Sequence, residues 1–138
     1  MARIIEATLA ASAARTVTTS FDPGVLASGE FSSLRELNAS AIEVLEVVIV
    51  ATALAATPSV TPSIEVYNPA SATWVAVLTG TAITTAAPTT VTLRVGPYIT
   101  AAANVAAQAL LGRAWRLTMT AGDADSLTYS AVARVYLA

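Results

Sequence analysis

The residues able to do chemistry are few and scattered. Asp123 and Asp125 form an Asp-Ala-Asp turn that could offer carboxylates to calcium or magnesium. A Ca2+ ion takes six to eight oxygen ligands, and no EF-hand loop follows. A tight turn using aspartate for local hydrogen bonds accounts for the same residues. Glu43 and Glu46 are three apart. On a strand they point to opposite faces and cannot converge as an acid/base pair, so they mark a solvated end of their strand. Glu6, Glu36 and Glu65 are isolated along the chain. Glycosidase-type pairing would need them to meet through the fold.

What is missing narrows the chemistry further. The 138 residues contain no histidine and no cysteine, and all seven basic residues are arginine. The usual zinc, iron-sulfur and haem ligand sets are therefore absent. Ser-His-Asp and Cys-His nucleophile systems cannot be built within one chain. No cofactor or metal is expected, and no enzyme. Gly80, Gly96, Gly112 and Gly122 lack phosphate-loop spacing. A net charge of -2 argues against nucleic acid as a partner, which would require a basic stripe.

Two groups of side chains suit contact better than catalysis. Trp74, Tyr67, Tyr98 and Tyr129 are able to form an aromatic sugar platform. Trp74 and Trp115 read more naturally as core anchors, because buried aromatics dominate core energetics. Arg94, Arg113 and Arg116 gather around neighbouring strands. They suit an interface, where arginine is enriched, or a solvated face with weak ion pairs.

The elements that position these residues are read from hydropathy. Mean hydropathy is +0.66. The most apolar run, residues 41–56, is shorter than the roughly 20 residues that span a bilayer and carries Glu43 and Glu46. No membrane partner is expected. Residues 1–14 lack an uninterrupted apolar signal region because of Glu6. Valine and threonine recur throughout, with Pro and Gly as punctuation, which favours strands and turns. Residues 41–53 read as a central strand covered on both faces; the run Val47-Val48-Ile49-Val50 disfavours a buried helix. Residues 63–67 and 74–78 form a hairpin around a 68–71 turn. Residues 90–95 alternate cleanly. Residues 113–121 and 126–137 form a second hairpin around a 121–125 turn.

The first third is less regular. Residues 4–9 and 15–21 read as an outer hairpin or an extended arm. Ser33 and Glu36 have capping-box spacing for a short helical turn over 33–37. Residues 100–111 read either as a short helix ended by Gly112 or as a long loop. The expected architecture is all-β: a single antiparallel β-sandwich or jelly-roll-like domain. Residues 1–40 would form an arm or hairpin region packed on a 41–138 sandwich core.

One resemblance is carried by the Trp74 strand, by Leu93-Arg94-Val95-Gly96-Pro97, by the Ala/Asn loop around Asn104, by Arg113-Ala114-Trp115-Arg116, and by the strand after Asp125. Over about residues 45–137 the chain resembles small β-rich structural proteins of tailed bacteriophages, especially those infecting GC-rich actinobacteria. Members usually carry a longer, glycine-containing turn before the tryptophan, where residues 68–73 here have none. The resemblance implies a capsid decoration (cement) protein on the capsid exterior of the virion, made in the host cytoplasm and partnered by the major capsid protein lattice. A homotrimer is expected. A tail or head-tail connector protein is one alternative and a carbohydrate-binding module another. Arg94, Tyr98, Asn104, Gln108, Arg113 and Arg116 are the expected interface residues. The loops 53–62 and 79–89, the 100–111 segment and the N-terminal arm would make the contacts. Absence of lysine, with abundant alanine and arginine, fits GC-rich codons. Apolar residues on both strand faces suggest burial against another subunit.

Overall fold

A computed structural model describes residues 3–22, 42–111 and 114–137. Within them the chain is all-β, with nine strands and no helix. The strands are β1 (Arg3–Arg15), β2 (Thr19–Phe21), β3 (Ile42–Leu54), β4 (Val60–Asn68), β5 (Thr73–Thr79), β6 (Thr89–Gly96), β7 (Ala106–Gln108), β8 (Trp115–Ala121) and β9 (Leu127–Leu137). They form two sheets, ordered β1-β9-β3-β6-β7 and β2-β8-β4-β5. All pairs are antiparallel except β6 with β7, which makes the larger sheet mixed.

Alternation explains which face each strand buries. In β3 the residues Leu45, Val47, Ile49 and Ala51 are fully buried. In β9 the same holds for Leu127, Tyr129, Ala131, Ala133 and Val135, and in β8 for Leu117 and Met119. These side chains meet Leu9, Ile64, Leu93 and Trp115 in one core shared by both sheets. The clean period of two is what places them there, because successive residues of a strand point to opposite faces.

Several elements differ from the sequence reading. The outward side of β3 is only partly covered: Val44, Val48 and Val50 are half-exposed. The apolar run reflects β-branched preference for a pleated strand as well as burial. In place of an outer hairpin, β1 pairs with β9 in one sheet and β2 pairs with β8 in the other; the expected 113–121/126–137 hairpin is likewise absent, because the turn after β8 carries the chain across to the opposite sheet. Residues 100–111 are neither a helix nor a plain loop, since they contain the short parallel strand β7. The 33–37 helical turn lies outside the described residues.

Two loops expected to reach partners are each tied down at one point and otherwise largely exposed. Ile83 exchanges backbone hydrogen bonds with Val60 (3.1 and 2.7 Å) and is buried, which anchors the loop after β5. The loop after β3 is held by Asp125, whose carboxylate accepts from the backbone N–H and the hydroxyl of Thr57 at 3.1 and 3.3 Å. Asp123 accepts from the Asp125 N–H at 3.0 Å, the local aspartate turn read from the sequence.

The crossover from β1 to β2 is tied by Arg15. Its guanidinium donates to the carbonyls of Ala11 (2.8 Å), Ala13 (3.3 Å) and Tyr129 (3.0 Å). It also stacks 5.1 Å from the Phe21 ring centroid and 4.6 Å from that of Tyr129. Those two rings meet edge-on at 6.3 Å, bringing one side chain from each sheet together. Burial pushes the Tyr129 phenol up from its ordinary value, and the charge of Arg15 only partly opposes this.

A pH prediction follows from that shift. The folded-state pKa lies above the unfolded value near 10.0, so the folded form keeps its proton longer. The contribution of Tyr129 is therefore complete below about pH 10 and is lost as pH rises through the folded pKa. Urea midpoints are expected to fall as pH rises above about 10. Tyr129→Phe should flatten that decline. An unchanged slope in the variant would contradict the assignment.

Candidate interaction surfaces

The segment leaving β6 is built from a turn, a return and an edge strand. Gly96-Pro97 stops β6, because proline cannot continue the ladder as a donor. The chain then reverses through residues 102–105. Asn104 sits there at φ 62°, a conformation asparagine adopts more readily than most residues. The reversal returns β7 alongside β6, with Arg94 opposite Ala106, Val95 opposite Ala107 and Gly96 opposite Gln108. The Arg94 N–H donates to the Val105 carbonyl at 2.9 Å, and the Ala109 N–H donates to the Gly96 carbonyl at 3.0 Å. The Gln108 amide donates to the Pro97 carbonyl at 3.0 Å.

This segment displays large apolar side chains to solvent. Tyr98 is 87% exposed, Leu110 70% and Val105 43%. A shallow groove of about 580 Å3 separates it from the end of β5, with Leu78, Asn104 and Gln108 among its walls. Four of the six expected interface residues, Arg94, Tyr98, Asn104 and Gln108, thus belong to one edge of the larger sheet. Arg116 lies elsewhere, on the outward face of the second sheet, and Arg113 lies outside the described residues. The arginines adjacent in sequence pattern are separated because β6 and β8 belong to different sheets.

The outward face of the larger sheet carries a charge ladder. Glu6, Arg134, Glu46 and Arg94 stand directly opposite one another on β1, β9, β3 and β6. Arg134 contacts Glu6 at 2.6 Å and Glu46 at 3.1 Å; Arg94 contacts Glu46 at 2.8 Å. Hydrogen bonds to Glu6 and then Glu46 raise the pKa of Arg134. Glu46 is only 7% exposed, so it is not the solvated strand end expected from the sequence. Each member occupies an outward position of its own strand. Their alignment depends on register between strands distant in sequence, which alternation alone does not reveal.

The outward face of the second sheet holds a different cluster. Trp74 is half-exposed there and is not in the core, whereas Trp115 is buried as expected. The Trp74 and Tyr67 rings meet at 5.4 Å and 62° across the β4–β5 pair. Arg116 covers the Trp74 ring at 4.4 Å and donates to Glu65 at 2.8 Å. Glu65 also accepts from the Thr118 hydroxyl, which in turn contacts the Ser20 hydroxyl at 3.0 Å. Tyr67 is 39% exposed.

Glu6, Glu46 and Glu65 are each paired with arginine, and they do not gather into one site. Among the described residues no three potential metal ligands converge. The arrangement supplies apolar contact, planar hydrogen bonding and aromatic stacking. No protein-family model, curated protein or solved structure matches the chain.

Proposed function

We propose that this chain is a non-enzymatic bacteriophage capsid decoration protein that binds the outer surface of the assembled head, as a homotrimer, and stabilises it. The observation that carries the reading is the 97–110 edge segment. It presents Tyr98, Val105 and Leu110 to solvent beside an open sheet edge, although the domain has a complete core of its own. Exposed apolar side chains grouped in this way mark a binding surface. Aromatic anchors on such a surface carry much of the association energy.

The strand order supports the finer architecture, an eight-stranded jelly-roll sandwich. Setting β7 apart as an addition, the sheets read β1-β9-β3-β6 and β2-β8-β4-β5, all antiparallel. Jelly rolls recur among viral capsid and lectin domains. Fold alone does not assign function, so the weight rests on the surface. A protein that binds the assembled lattice but not free subunits stabilises the shell by linkage, and a trimer multiplies the effect through avidity.

The test is to mix the purified protein with heads lacking it. Binding in hundreds of copies, with a raised shell melting temperature, is expected. A few copies per particle would indicate a tail or connector protein, and no binding would refute the reading. Tyr98→Ala with Leu110→Ala should weaken binding by about tenfold or more. Both residues are exposed, so the melting temperature of the free protein should hardly change.

A further inference from the structure

We infer that the Trp74–Tyr67–Glu65–Arg116 cluster on the outward face of the second sheet is a carbohydrate site that stacks a pyranose ring. The inference is independent of the capsid reading. It starts from a tryptophan that leaves the core although the protein buries its other tryptophan. The ring lies against a neighbouring tyrosine at 5.4 Å on an edge hairpin. Such a pair offers an apolar platform with a polar rim.

The polar groups beside the platform are already oriented. The Glu65 carboxylate is fixed by Arg116 at 2.8 Å and by the Thr118 hydroxyl, both of which donate to it. A carboxylate held in this way accepts sugar hydroxyl protons without first being ordered. The planar Arg116 guanidinium, stacked on Trp74, brings fixed donors to the same place. Further along the same face Thr61 stands opposite Thr120, with Ser63 and Thr118 buried between them and the cluster.

Those surroundings favour a polyhydroxylated ligand over a protein. A protein hot spot is typically enclosed by further contacts that exclude water, and the core of a protein interface is depleted in charge. Here two rings sit beside an ion pair, with the threonines Thr61 and Thr120 further along the same face. A small site with an apolar platform and a few convergent polar groups is the usual form of a small-ligand site. A cationic ligand is disfavoured by the charge of Arg116, which covers one face of Trp74, so the sugar would rest on the more exposed Tyr67 ring and the part of Trp74 left open beside it.

The experiment is calorimetric titration of the intact chain with methyl glycosides and short oligosaccharides of glucose, galactose, mannose and N-acetylglucosamine. No capsid shells are present, so the result is separable from shell binding. Saturable binding to at least one neutral sugar is expected. Trp74→Ala should weaken it by about tenfold or more, Trp74→Phe by less, and Glu65→Gln should also weaken it. Unchanged melting of Trp74→Ala and Trp74→Phe would show that the fold persists. If Trp74→Ala does not fold, Trp74→Phe and Tyr67→Ala carry the test. Overturning results are no binding across the panel, binding insensitive to these ring substitutions, or loss of shell binding in Trp74→Ala without any sugar affinity in the intact chain.

Discussion

Arg15→Ala is expected to lower the unfolding free energy by about 2–3 kcal/mol. The side chain donates to three carbonyls, one of them 114 residues away in sequence, and contacts two aromatic rings. Hydrogen bonds from a charged donor contribute about 1.5–3 kcal/mol each when buried, but Arg15 is partly exposed and the sum is discounted accordingly. Truncation would leave the Tyr129 carbonyl without this donor and remove the layer between Phe21 and Tyr129. The melting temperature should fall by about 10 °C for a domain of this size. Arg15→Lys should recover little, because an ammonium cannot reproduce a planar fork that both stacks and reaches several acceptors. A double-mutant cycle with Tyr129→Phe should show coupling, since Arg15 acts on the Tyr129 phenol as well as bonding its backbone carbonyl and stacking on its ring. A loss under about 0.5 kcal/mol for Arg15→Ala would show that the crossover holds without it.

Gly96→Ala is expected to destabilise by about 1–3 kcal/mol, and Gly96→Val by more. A Cβ on Gly96 would run into the carbonyl oxygen of Glu43 on the neighbouring β3 strand. The obstacle is backbone, so no rotamer change relieves it. The strands must separate where β6 also supports β7 through the Gly96 carbonyl. The disturbance therefore reaches the 97–110 segment, and Gly96→Ala should lower the denaturant midpoint and, on the proposed function, weaken shell binding as well. Gly122→Ala is a useful contrast. Its nearest backbone neighbour, the Ser59 carbonyl oxygen, lies at 3.2 Å in a loop, so a smaller shift relieves the contact. Equal losses in the two variants would refute a special role for the β3–β6 approach.

Much of the strand structure is legible in the residues themselves. In β9 the inward set Leu127, Tyr129, Ala131, Ala133 and Val135 is visible as strict alternation, and burial follows it. The β4–β5 and β8–β9 turns are visible as short polar breaks between apolar runs, but only β4–β5 closes a hairpin, because β8 and β9 fall in different sheets. The reading fails where a strand is apolar on both sides. Nothing in Val44, Val48 and Val50 distinguishes a covered face from a half-exposed one. It fails again for β7, whose three residues Ala106, Ala107 and Gln108 have no strand pattern and exist because β6 offers an edge.

The candidate surfaces divide along the same line. Tyr98, Asn104 and Gln108 are close in sequence, so a local reading groups them and a turn with one return strand suffices to bring them together. Trp74 is different. By composition it resembles Trp115, yet one residue faces the core and the other the outer surface, because register assigns them opposite sides of one sheet. Glu46 and Arg94 are 48 residues apart and meet only through the β3–β6 ladder.

The secondary-structure class, the inward faces of the regular strands and the lack of histidine and cysteine chemistry depend on residue identity and on a period of two, both local. Which strands share a sheet, which arginine meets which glutamate and which tryptophan reaches solvent are settled between distant segments. These follow from pairing register and sheet order, where a shift of one residue exchanges the faces of a strand while leaving its composition unchanged.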